Sequence, residues 1–74
     1  MRTIHLTALI EKEGDGYVAL CPELEIASQG DTVEEARAMV KEAVELFFEC
    51  ASEEEIDRRM GSEWYIVPME CTIA

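Results

Sequence analysis

The sequence predicts an α+β domain in the order β-β-β-α-(short α)-β, with an antiparallel sheet and one main helix packed on one of its faces. Three observations carry this. Apolar residues alternate near both ends of the chain, a capped run at helical spacing fills the middle, and two glycines separate the first two apolar segments. With 74 residues there is material for one core only, so residues 1–74 are read as a single domain.

Residues 2–10 read as the first strand, with Ile4, Leu6, Ala8 and Ile10 on one face and Thr3, His5 and Thr7 on the other. Residues 11–16, EKEGDG, supply residues that tolerate positive φ and form the hairpin connection. Residues 17–21 return as the second strand, with Val18 and Leu20 facing inward. Pro22 ends regular pairing because it has no backbone donor, and Glu23 and Leu24 fall in a loop. Residues 25–29 form a short third strand closed by Gly30.

The strongest local signal follows. Thr32 is placed to accept from the Glu35 amide while the Glu35 side chain reaches back to the Thr32 amide, a capping box that starts a helix over residues 33–51. Val33, Ala36, Val40, Ala43, Val44 and Phe47 gather on one side of it, widened by Met39, Leu46 and Cys50. Glu34, Lys41, Glu42, Glu45 and Glu49 take the other side. Phe48 falls near the polar face and has two readings, a side chain folded onto a neighbouring loop or the second helix, or a subunit or partner contact. Ser52 and Glu55 cap a short helix that runs to Arg59 or Met60 and stops at Gly61, with acids at its start and Arg58 and Arg59 near its end, as the helix dipole favours. Alternation returns over residues 63–73, and Pro68 makes this an edge strand or a strand in two pieces.

Composition narrows the function. Seventeen acidic residues stand against six basic ones, a formal charge of −11. Direct nucleic-acid binding is not expected, because Lys and Arg supply most of that affinity. The field suits a basic protein partner, or serves solubility alone. No segment reaches the roughly 20 apolar residues that cross a membrane, and the N-terminal apolar stretch is too short and too alternating for a signal peptide, so a cytoplasmic location is expected. Cys21, Cys50 and Cys71 are widely spaced without a CxxC pair, which reads as reduced, semi-buried thiols and not as a disulfide framework or zinc site.

Catalytic chemistry finds little support. His5 is the single histidine and lies on the outward strand face. Glu53, Glu54 and Glu55 follow one another at a helix start, where the dipole accounts for them without a metal. The glycines of EKEGDG lack the strand-to-helix setting of a phosphate loop. No enzyme activity, cofactor or metal is expected.

The run from GDGY through CPELEIASQGDTVEEARAMVKEAVELF resembles the HicB-like antitoxin family. The matching positions are Gly16 and Tyr17, Pro22, Glu23 and Leu24, Gln29, Gly30, Asp31 and Thr32, Glu35 and Ala36, and Glu42 and Ala43, within residues 3–50. Many members carry Pro-Gly or Gly where this chain has Glu25 and Ile26. The resemblance implies a β-β-β-α-β fold like a degenerate double-stranded-RNA-binding or ribonuclease-H-like half domain, without enzymatic activity. It also implies a partner, a small basic ribonuclease toxin of the HicA type whose catalytic histidine the antitoxin blocks. Many members add a C-terminal DNA-binding module, which is not expected in a chain ending at Ala74.

The surfaces proposed from sequence for such a partner are the acidic helix face of Glu34, Glu42, Glu45 and Glu49 with Phe48, and the hairpin tip over residues 11–15. A homo-dimer or tetramer is also expected, since so small a domain gains burial by association, and the strand with Trp64, Tyr65, Ile66 and Val67 is the candidate edge for joining protomers. The alternative function is a stand-alone oligomeric structural or regulatory domain without a toxin partner.

Overall fold

A computed structural model describes residues 3–74 and contains a three-stranded antiparallel sheet followed by two helices. Strands β1 (Leu9–Glu13), β2 (Gly16–Cys21) and β3 (Ile26–Gly30) lie in the order β1-β2-β3. Helix α1 (Val33–Cys50) crosses one face of the sheet, and α2 (Glu53–Met60) follows.

The hairpin is tighter than expected. Pairing runs to Glu13 opposite Gly16, so the loop is Gly14 and Asp15 alone. Gly14 has φ +60° and Asp15 does not share the positive sign, the pattern of a two-residue turn that wants glycine first. This turn sets the register: Ile10 faces Ala19, and Leu9 faces Leu20. Tyr17, Ala19 and Cys21 therefore point toward α1, while Val18 and Leu20 point away, the reverse of the sequence expectation. Both parities of this strand are apolar, so alternation alone could not decide between them.

The first strand is also shorter. It was expected over residues 2–10, but Arg2 lies outside the described residues and residues 3–8 belong to no ladder. β2 ends at Cys21 before Pro22 and leaves them no partner.

Thr32 caps α1 by accepting from Glu35 N–H at 3.0 Å, but Glu35 Oε1 accepts from the Asp31 N–H at 2.8 Å, one residue before the expected Thr32 amide. Ser52 caps α2 through Glu55 N–H in the same way. The close fit of α1 to the sheet rests on Gly30, where an added Cβ would lie 2.6 Å from the Ala36 backbone nitrogen.

The core is thin. It consists of Ala19, Cys21, Leu24, Ala36, Val40 and Val44, of which Leu24 is the one large aliphatic side chain fully enclosed. Leu24 enters the core from the turn after β2, and the chain escapes that turn through Glu25 at φ +55°. Glycine at this left-handed position would be unstrained. Met39, Leu46 and Cys50, expected to widen the buried arc of α1, are exposed, Leu46 to 57%.

Residues 63–73 do not form the expected last strand. They leave α2 without entering the sheet.

Candidate functional site

Three surfaces stand out once the register is known. The first is the sheet face opposite α1. Leu9, Leu20 and Ala27 form one row across the strands, and Glu11, Val18 and Gln29 form the next. Leu9 is 44% and Leu20 38% exposed, although they sit directly opposite one another. Glu13 and Asp15 continue toward the hairpin tip, so an apolar row grades into an acidic end. Leu20 and Val18 were assigned inward from sequence and were missed as surface residues. The two-residue hairpin is the signal that finds them, since it fixes Ile10 opposite Ala19.

The second surface is the exposed face of α1. Glu34, Glu42, Glu45 and Glu49 all lie on it, opposite the buried stripe of Ala36, Val40 and Val44. Glu45 pairs with Lys41 at 3.0 Å, one turn away, an exposed contact that contributes at most about 0.5 kcal/mol. Phe48 does not share this outlook. It is half-buried against the core, edge-on to Phe47 with ring centroids 5.5 Å apart, and near Ile56 of α2.

The third surface is a groove of about 1040 Å³ between residues 3–8 and α1. Leu6, Val40, Val44, Phe48 and Ile56 give it an apolar floor, and Arg37, Lys41, Glu45 and Glu49 border it. His5 is exposed on its rim. The helix packs mainly on β3 and β2 and barely on β1, which leaves the space open on the β1 side.

A polar knot secures one end of this groove. Glu23 accepts from Thr7 Oγ1 at 2.8 Å, from Thr7 N–H at 3.2 Å and from Cys21 Sγ at 3.4 Å. Partial burial acts to raise the Glu23 pKa, but its own backbone amide, both Thr7 donors and the Cys21 thiol outweigh it and hold the carboxyl below its ordinary value. Burial, with the Glu23 carboxylate as acceptor, pushes the Cys21 thiol up. Arg59 donates to the Leu24 carbonyl and lies 5.3 Å over the Phe47 ring, while Ser62 Oγ donates to the Glu23 carbonyl at 3.3 Å. Sequence patterns gave no sign of this knot, because its members are far apart along the chain. Of the remaining residues proposed for association, Trp64 is half-buried while Tyr65, Ile66 and Val67 are exposed.

Of the three thiols, only Cys21 is buried; Cys50 and Cys71 are exposed, more open than the semi-buried state expected. Among the described residues no three His, Cys, Asp or Glu side chains gather to hold a metal ion. No helix among them is long and apolar enough to cross a membrane. The arrangement offers surfaces for contact, and the Glu23 knot and the Thr32 and Ser52 caps hold its turns and helix ends.

Comparison with known proteins gives three relatives. A UPF0150 protein of Helicobacter pylori is 36% identical over 70 residues, covering 93% of this chain and 97% of the relative. Two UPF0150 proteins of Synechocystis are 52% identical over 46 residues and 56% over 45, covering 60% and 58% of this chain. The matched span is 64% and 57% of the length of those two, less than two thirds of each. No protein-family model matches the chain, and no solved structure does.

Proposed function

The chain belongs to the UPF0150 family, and from that premise we propose that it acts by binding and not by catalysis, as a HicB-like inhibitor of a small basic ribonuclease of the HicA type. The observation that carries this reading is the open sheet face, where Leu9 and Leu20 lie beside Glu11 and toward Glu13. A ribonuclease that holds RNA presents a positive groove, and an acidic-edged apolar face can occupy it in place of the phosphates. The charge of −11 draws such a partner in and repels RNA itself. Glu34, Glu42, Glu45 and Glu49 add to this field from the helix side, so they speed encounter, while Leu9 and Leu20 hold the complex once formed. The setting is the cytoplasm, where the RNA substrate of the partner is found.

The reading is tested by titrating the chain with HicA-type ribonucleases encoded in the same genome. A complex is expected whose association slows as ionic strength rises, and which Leu20→Asp abolishes. If none of these ribonucleases binds, the inhibitor reading fails. The alternative, a stand-alone oligomeric domain, draws its support from the uncovered residues 63–73 and would be left standing.

A further inference from the structure

Residues 63–73 pose a problem that the rest of the fold does not solve. They keep the alternation of a strand, with Tyr65, Val67, Met69, Cys71 and Ile73 on one face, yet Tyr65 and Val67 are 73% exposed, Met69 86% and Ile73 90%. Their root is fixed, since Ser62 and Arg59 bond to the backbone of Glu23 and Leu24. From there the segment runs outward. The radius of gyration is 14.6 Å and the long axis 50 Å, whereas a compact domain of this length has a radius of gyration of about 11 Å.

The groove beside α1 has the complementary defect. Residues 3–8 continue β1 but join no ladder, and the hydrogen bond from Thr7 N–H goes to a side chain. The half-buried Leu6, Phe48 and Ile56, with Val44 of the core behind them, form the apolar floor between these residues and α1. We propose that a second copy of this chain fills this groove with its own residues 63–73, laid as a strand beside residues 3–8, and receives the same segment in return.

Two features match. A strand added at β1 supplies the backbone partners that residues 3–8 lack, and puts one face of the arm beneath α1. Pro68 has no N–H to give, which suits a strand that becomes the new outer edge of the sheet. Reciprocal exchange closes as a two-fold dimer with both grooves filled and both arms covered, and it leaves the Leu9 and Leu20 face free. The assembly thus stands apart from the inhibitor reading and does not require it.

The test uses the full chain in sedimentation equilibrium. Wild type is expected to be a dimer that persists at high salt, because two like-charged subunits are held by an apolar contact. Val67→Asp with Met69→Asp should weaken it about a hundredfold or more while helicity is kept. Leu6→Asp should do the same from the groove side, and mixing the two variants should restore a heterodimer, since one intact arm then meets one intact groove. The Leu9→Glu variant should remain dimeric. Alkylation gives a readout without substitution: in the wild-type dimer Cys71 should react about tenfold or more slowly than Cys50. A monomeric wild type, a dimer that survives the double arm variant, or a Cys71 that reacts as fast as Cys50 would each overturn the proposal.

Discussion

Glu23 holds Thr7 by side chain and backbone together, with Thr7 Oγ1 donating at 2.8 Å and Thr7 N–H at 3.2 Å. The contact spans sixteen positions of chain and is the main polar tie between residues 3–8 and the turn after β2. It also positions the free edge of β1 beside the groove.

Removing that tie has a defined pH signature. The Glu23 carboxyl lies below its ordinary value of 4.5, so its contribution is complete above that pH and is lost as the pH falls through the lower folded value. Glu23→Gln should cost about 1–3 kcal/mol at neutral pH. Urea unfolding of both proteins should show the gap between them closing below pH 4.5. A gap that is constant with pH contradicts the assignment.

Glu25 and Gly30 should respond in opposite directions. Glu25→Gly relieves a left-handed residue and should stabilise by up to about 1 kcal/mol, after the extra entropy of the unfolded glycine is subtracted. Gly30→Ala places a Cβ 2.6 Å from the Ala36 nitrogen and 2.9 Å from the Glu35 carbonyl carbon, both backbone atoms that cannot rotate aside. A loss of about 2 kcal/mol or more is expected. Thermal unfolding of the two variants checks both signs.

The thiols should separate by accessibility. Cys21 is buried and its pKa is raised by burial and by the carboxylate it donates to, so it should resist alkylation in the native state and react on unfolding. Cys50 should react at once. Thiol counting with and without denaturant distinguishes them, and fast native labelling of Cys21 would show the Glu23 knot to be open.

The open sheet face should be dispensable for stability. Leu20→Asp sits at the solvent-facing side of β2 and should change unfolding free energy by about 1 kcal/mol or less. Its effect should fall on partner binding. Reversing Glu42 and Glu49 to Lys should instead slow association and leave dissociation nearly unchanged, because those carboxylates act at a distance. Rapid-mixing and dissociation measurements on the two variants separate these roles.

Local signals in the sequence located the helices almost to the residue. Thr32 and Ser52 are caps whose partners lie three residues away, so short-range chemistry decides them. The acidic stripe from Glu34 to Glu49 was equally readable, because helical spacing alone places it opposite Val40 and Val44. What alternation missed depended on partners elsewhere in the chain. Val18 and Leu20 were turned the wrong way because Ala19 and Cys21 are also apolar and small, and only pairing across Gly14 and Asp15 chooses between the parities. Phe48 has two readings in the sequence because helical spacing does not show that Leu6 and Ile56 line the same groove with it. Residues 63–73 have the pattern of a strand, but a pattern does not say which chain supplies the neighbour.

In the proposed function this acidic domain silences a basic ribonuclease by covering its RNA groove with the Leu9 and Leu20 face. The most direct measurement follows RNA cleavage by a HicA-type ribonuclease from the same genome as wild type or Leu20→Asp chain is added. Cleavage should stop near one chain per ribonuclease with wild type, recover as salt is raised, and continue with Leu20→Asp. Undiminished cleavage in saturating wild-type chain, or equal inhibition by Leu20→Asp, would contradict the account.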